Sequence, residues 1–413
     1  MRSFDPMIFA KEQIARDEAR TRHMPALFAR KVARMRASAV GFLRGAAPLF
    51  YELYEHYAED CHDGPAGEGW IAGDLHVENF GVYRTAPVDL LQRGRAANVT
   101  FDLNDFDDAL VGPWRLDVLR LLTSLLLAAR GFGASGARAA SWTEALLDAY
   151  TTRAFDRAPP PLEVPVPVMN LLTRASARTR RALLDARTTR TSRGRRFVRD
   201  GLRYAELPPA TDAAARKVFQ TYAHGVRETY GLTPEHFEVL DAAFRIAGTG
   251  SLGTLRIAVL ARGKGKDDGN WIFDMKAQSA PSAEAYGKPA HVRSPAERVL
   301  TAMQRCLEQP PHMAGTVPMK LGGKTSSMLV RRLAPQEDKL DLGHVPDADL
   351  LPLARYLGGL TGAAHRRGAQ SKPRRPWSSA DCTRLLFRAF ALAGLHEAIY
   401  LAYSRLTEPL IAK

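Results

Sequence analysis

Cysteine is nearly missing from this chain: three in 413 residues, Cys61, Cys306 and Cys382, far apart and odd in number. Such a set builds neither a disulfide framework nor a zinc site, and it fits a reducing, cytoplasmic setting. Long apolar runs are missing too. The most apolar stretch, 121–129, is nine residues long and bounded by Arg120 and Arg130. A spanning helix needs roughly 18 or more, so no membrane partner is expected. The N-terminus carries charges throughout and no apolar core, so no secretory leader is expected. Acidic residues are scarce relative to basic ones, 44 against 58, for a net charge of +14 that comes largely from arginine. Two explanations stay open, an acidic partner such as nucleic acid or a phosphate-bearing substrate, and an arginine-rich compositional bias. Aromatic residues are not interleaved with the basic ones, which disfavours a base-stacking nucleic-acid surface.

What is present suits a globular α+β protein of two or three lobes, with 46% hydrophobic residues. Residues 1–67 read as an N-terminal segment of two helices. Residues 68–155 form a core rich in acidic clusters, including a buried helix from Arg115 to Arg130 closed by Gly131. Residues 156–240 hold a proline-rich linker, further helices and a basic stretch with eleven arginines between Arg174 and Arg203. That stretch reads either as a basic loop over a site or as a solvated helical face. Residues 241–345 alternate like antiparallel strands, and 346–413 close the chain with helices Leu350 to Arg366 and Asp381 to Tyr403.

The chain is organised around Trp70 to Leu127. In GDLHVENFGVY (73–83), Asp74 is followed five positions later by Asn79. In the second cluster Asp102, Asp105, Asp107 and Asp108 crowd into seven residues. Carboxylates so dense repel one another unless a cation sits among them. A few hard oxygen ligands, shared with substrate phosphates, are how proteins hold Mg²⁺. Asp-x₄-Asn followed by a strand-borne Asp is also the spacing of a kinase catalytic loop and its metal-binding Asp. In that chemistry Asp74 is the catalytic base; Asn79 and Asp105 hold Mg²⁺, helped by Asp107 or Asp102. His76 reads as a metal ligand or, preferably, as a backbone brace. Asp117 reads as a structural carboxylate that caps or hydrogen-bonds.

A second constellation lies well downstream. Gly248, Gly250 and Gly253, with Ser251 among them, form a Gly-x-Gly-x-x-Gly followed by strand-like residues rather than a helix. Strand, glycine loop and strand make the lid that covers nucleotide phosphates in kinases. Lys276 ends a following strand where a lysine would grip the α and β phosphates of ATP. Glu297 lies 21 residues on, in the first turn of a helix that opens with Ser294 as N-cap and Pro295. Glu297 is expected either to aim Lys276 or to serve a capping box, with Glu284 as its rival.

Gly-Asp-x-His also occurs in two-metal phosphoesterases, but those sites need more histidines than His56 and His62 supply. The whole-chain expectation is a phosphotransferase using ATP and Mg²⁺ on an unidentified hydroxyl acceptor. A nucleotide-binding regulatory protein without turnover and a nucleotidyl transferase are the alternatives. Acceptor and oligomeric state are not legible.

GDLHVEN and NDFDDALVGPWRLDVLRLL resemble the catalytic loop and metal-binding segment of aminoglycoside phosphotransferases. More closely, FLRGA at 42–46, GDLHVENFG at 73–81 and DLNDFDD at 102–108 resemble a bacterial family known as domain of unknown function 2252, placed in the protein-kinase-like superfamily. The resemblance implies a bilobal kinase-like fold with ATP and Mg²⁺ between the lobes and the roles given above. In ordinary kinases the glycine loop and lysine precede the catalytic Asp, whereas here they follow it. The implied fold is therefore circularly permuted, with the catalytic motifs of the helical lobe first and the antiparallel β nucleotide lobe later. The helix ending at Ala363-Ala364-His365 would return beside the catalytic loop. The segment from Phe80-Gly81 to Asp105 is longer than usual, and its Arg93 and Arg95 are expected near the substrate. Neither His-Arg-Asp nor Asp-Phe-Gly occurs, which weakens protein kinase activity more than phosphotransfer in general.

Overall fold

The computed structural model describes residues 4–57, 64–85, 99–192, 194–371 and 375–410. Arg93 and Arg95, like Cys61 and His62, lie outside the described residues. The N-terminal segment holds four helices rather than the expected two: α1 (Pro6–Thr21), α2 (Ala26–Arg36), α3 (Ala39–Gly45) and α4 (Ala47–Tyr57). The extra breaks have local causes. Ser38 caps α3 by accepting from Gly41 N, and Ala46 leaves helical geometry at the other end.

Strands β1 (Glu68–Ile71), β2 (Phe80–Arg84), β3 (Val99–Leu103) and β4 (Leu110–Pro113) carry the acidic clusters between them. β1 pairs with β4 and β2 with β3, both antiparallel, so the two clusters are folded against each other. Next come α5 (Trp114–Gly131) and α6 (Gly136–Phe155). α5 is buried along nearly its whole length, as its all-round apolar pattern implies.

The arginine-rich stretch is more ordered than either reading of it. It forms the end of α7 (Val166–Ser176), then α8 (Arg180–Asp185) and a hairpin of β5 (Thr188–Thr191) and β6 (Gly194–Phe197). Arg195 is buried and pairs with Asp185 at 2.6 Å and Asp268 at 2.7 Å; Arg199 pairs with Asp241 at 2.8 Å. These arginines are answered by carboxylates of the next layer.

That layer is a six-stranded antiparallel sheet. Its strands are β7 (Tyr204–Ala205), β8 (Val239–Arg245), β9 (Arg256–Ala261), β10 (Trp271–Gln278), β11 (Ala314–Leu321) and β12 (Lys324–Leu333), in the order β11-β12-β10-β9-β8-β7. Helix α9 (Pro209–Arg227), between β7 and β8, packs on one face with Phe219 and Tyr222 against Phe273 and Met275. The sheet thus takes in residues before 241. Alternation along β10 sends Asp274 and Lys276 to the other face. β11 and β12 turn at Gly322 and Gly323, both at positive φ, as a tight hairpin requires.

Helix α10 (Pro295–Cys306) connects β10 to β11. The short β13 (Asp338–Lys339) leaves the sheet and pairs with β2. Helices α11 (Asp347–Arg367) and α12 (Ser379–Thr407) complete the fold. α11 lies backbone to backbone on α6: a Cβ at Gly358 would stand 2.0 Å from Leu146 O, and one at Gly362 would stand 2.5 Å from Tyr150 O. Gly358→Ala is expected to destabilise the protein by about 1–3 kcal/mol through overpacking, read as a lower urea midpoint with unchanged slope.

Although no apolar run of 18 residues occurs, one helical stretch, 379–410, reaches a mean hydropathy of 1.4 over an 18-residue window, of which 39% is buried. It packs Leu385, Ala389, Leu392 and Tyr403 into the core formed with α5 and α1.

Candidate active site

The turn that presents Asp74 is held from below by α5. Asp117 accepts hydrogen bonds from Ala72 N (2.7 Å) and Gly73 N (2.8 Å), and Ser124 accepts from Val77 N (3.1 Å). Arg120, between them, pairs with the Asp74 carboxylate and donates to Leu43 O at 3.0 Å. Spacings of three and four place all three side chains on one face of α5. Gly73 is required at this turn: its φ is +77° and a Cβ would sit 2.0 Å from Asp108 O. α11 completes the support, since His365 Nε2 lies 3.2 Å from Asp117 and its Nδ1 lies 3.0 Å from the Tyr150 hydroxyl. α11 thus reaches the turn through His365, and Asp117 is buried with two backbone N–H groups and that histidine as its partners.

Asn79 donates from Nδ2 to Asp74 O at 2.8 Å, which fixes the separation of the two residues. Its Oδ1 is buried with no hydrogen-bond partner among the described residues. A buried amide oxygen left without a donor is costly unless something else meets it, and a cation does so directly. Among the described residues no three His, Cys, Asp or Glu side chains cluster as a self-sufficient metal site. The set of Asn79 and Asp105 nevertheless fits Mg²⁺, which takes few protein oxygens and completes its shell with water and phosphate. His76 is buried, accepts from Glu78 N at 3.2 Å, and is held well below the usual histidine range by burial and by Arg44 and Arg120. It braces the turn as a neutral ring.

Over this turn stands the sheet. Lys276 of β10 forms an ion pair with Asp107, 169 positions earlier in the chain, and Gln278 donates to the other oxygen of Asp107 at 2.9 Å. Asp107, expected on the metal, is thereby the partner of the lysine. Glu297 is not that partner: its carboxylate accepts from Arg293 N at 2.6 Å, outside the cleft, while its own N–H donates to Ser294. No ion pair joins Glu284 to Lys276 among the described residues either. The contribution of α10 is Arg298, which donates to Asp107 O and Ser279 O, both at 2.8 Å, and to Ala109 O. Asp102 also points elsewhere, 3.7 Å from Arg367, and burial pushes its carboxyl up to about 6.

The glycine loop spans β8 and β9 as a strand–loop–strand unit. Gly248, Gly250 and Ser251 line the cleft, with Gly248 at φ +81°. Gly253 does not; it meets α1, where a Cβ would lie 2.3 Å from Arg20 O. The loop carbonyls are gripped by the N-terminal helices: Arg34 donates to Gly248 O, and Arg20 (2.5 Å) and Lys31 (3.4 Å) donate to Gly250 O. Asp74, Asn79, Asp105, Asp107, Gly250 and Lys276 all border the cleft beneath.

Electrostatics distinguish its carboxyls. Burial pushes Asp74 up to about 7, with Arg120 opposing and Asp108 and Asp105 adding to the rise. For Asp105 the same burial is outweighed by Lys276, Lys339 and Arg44, which hold it below the usual range. One carboxyl is thus poised to exchange a proton near neutrality, and the other stays anionic.

Residues 22–398 match the family domain of unknown function 2252, described as an uncharacterized protein conserved in bacteria. The chain belongs to this family. No curated protein and no solved structure matches it. Most of the cleft's lining falls within residues 22–398, whereas the whole of α1, with Arg20 at the cleft, precedes them.

Proposed function

We propose that this protein is an ATP- and Mg²⁺-dependent phosphotransferase with a circularly permuted kinase-like fold, transferring the γ-phosphoryl group to a hydroxyl acceptor in the bacterial cytoplasm. The observation that carries the reading is the meeting of Lys276 with the acidic segment 105–108 beneath a glycine loop, in one cleft with Asp74 and Asn79. Further support comes from order along the chain. Lys276 lies on the third strand of the glycine-loop unit, counting from β8, and a helix follows it, as in kinases. α11 ends where β1 begins, with Trp70 N donating to Gly368 O at 2.9 Å, so the permuted ends adjoin.

In this reading Asn79 and Asp105 would hold Mg²⁺, whose chemistry is to neutralise charge on the transferring phosphates. Lys276 releases Asp107 and takes the phosphate chain. Asp74 orients the acceptor hydroxyl and receives its proton as the new O–P bond forms and the bond from the γ-phosphorus to the ADP oxygen breaks. Nucleotidyl transfer is the second reading, favoured by a second cavity that shares Lys276 and carries Arg245, Arg256 and Arg331 among its lining. Incubation with MgCl₂ and ATP labelled at either the α or the γ phosphorus, with lysate small molecules and proteins as acceptor pools, separates the two. Movement of γ label is expected. Movement of α label replaces the first reading by the second, and no ATP binding by calorimetry removes both.

A further inference from the structure

A second cavity shares Arg44, Asp105, Asp107, Gly248, Ser251 and Lys276 with the first but is not bordered by Asp74. Its wall is charged. Arg245 and Arg256 both pair with Asp274, Arg331 pairs with Glu337 at 3.1 Å, and Arg44 pairs with Glu78 at 2.6 Å. Lys339 differs from these. It is solvent-accessible at the cavity wall, its ammonium donates to Glu78 O at 3.0 Å, and among the described residues it has no carboxylate at ion-pair distance. Its position is fixed by β13, where Lys339 pairs with Gly81, two residues past Asn79. Only glycine admits that approach, because a Cβ at 81 would stand 2.3 Å from Asn104 Nδ2 and 2.6 Å from Asp338 O. A second donor is spare: Arg245 Nε is buried with no hydrogen-bond partner.

We propose that this second cavity binds a phosphate or diphosphate group, gripped by Lys339 together with Arg44 and Arg331. A cation with no carboxylate at ion-pair distance, crowded by Arg44 and Arg331 and answered only at longer range by Asp105 and Glu78, adds to the positive potential on a concave wall. Its best occupant is a small, dense anion able to accept several charge-assisted hydrogen bonds. Two sources supply that chemistry: the phosphate chain of the nucleotide itself, or a separate phosphate-bearing molecule. Only the choice between them rests on the nucleotide reading given above; the anion site stands without it.

Calorimetry of the full chain with sodium pyrophosphate tests the site. Wild type is expected to bind. Lys339→Met is expected to weaken binding about ten-fold or more, the equivalent of losing one good charged contact. Lys339→Arg should restore most of it, and Lys217→Met, on the exposed face of α9, should change nothing. Absence of binding to wild type, equal binding by Lys339→Met, or an equal loss from Lys217→Met overturns the proposal. Excess nonhydrolysable ATP analogue then assigns the source: displacement of pyrophosphate means the nucleotide chain, and undiminished binding means a second ligand. An analogue that fails to bind at all sinks the nucleotide reading and leaves the pyrophosphate result standing.

Discussion

Asp74→Asn is expected to cut transfer by about 10²–10⁴-fold, the usual contribution of a positioned base, while nucleotide affinity stays within about two-fold. The reason for the separation is geometric. Asn79 is held by the Asp74 backbone carbonyl, so an amide at position 74 leaves the Asn79 side chain where it was. The wild-type profile carries a further sign. Burial pushes the Asp74 carboxyl up to about 7, so it is protonated below that pH and ionised above it. The kcat/KM of the wild type should therefore climb with pH through roughly neutral values, and the variant should lose that acid limb. A variant that turns over normally, or a profile without an acid limb in either protein, would remove Asp74 from the chemistry.

Asp117→Ala is expected to cost on the order of 3–5 kcal/mol of folding stability, the largest effect of any single change at the site. The carboxylate is fully buried and answers two backbone N–H groups and His365 at once. Its removal strands all three in a place water does not reach. Asp117→Asn keeps one acceptor oxygen and should fall between wild type and alanine. Chemical denaturation measures both, and a loss below about 1 kcal/mol for alanine would show that the turn at 72–74 holds itself without α5.

Much of this arrangement was legible beforehand, for reasons that differ by element. The glycine loop and Lys276 were readable because the residues after Gly253 are apolar and β-branched in a short run, which suits a buried strand and not the helix of a dinucleotide fold. Asp117 was readable as structural because it opens a helix with apolar residues all round. The partners of that helix were hidden in the same pattern. Arg120 and Ser124 are polar positions on an otherwise apolar helix, three and seven residues past Asp117, and that spacing was the available signal. Glu297 and Arg298 show the limit of local rules. Neighbours on a helix point about 100° apart, and only the sheet decides which one faces the acidic segment. Asp107 was assigned to a metal because proximity in sequence to Asp105 says nothing of a lysine 169 positions away. The four-helix N-terminus and its grip on the glycine loop were equally invisible, since the contacts run from Arg20 to Gly250 across 230 positions.

That long separation has a bearing on synthesis. Ribosomes add about 5–20 residues per second, so on the order of 10–30 s pass between the emergence of Asp107 and that of Lys276. Through that interval the nascent chain carries the acidic segment 105–108 without the lysine that answers it. The two walls of the cleft therefore close on each other only after the later half has been made and has docked.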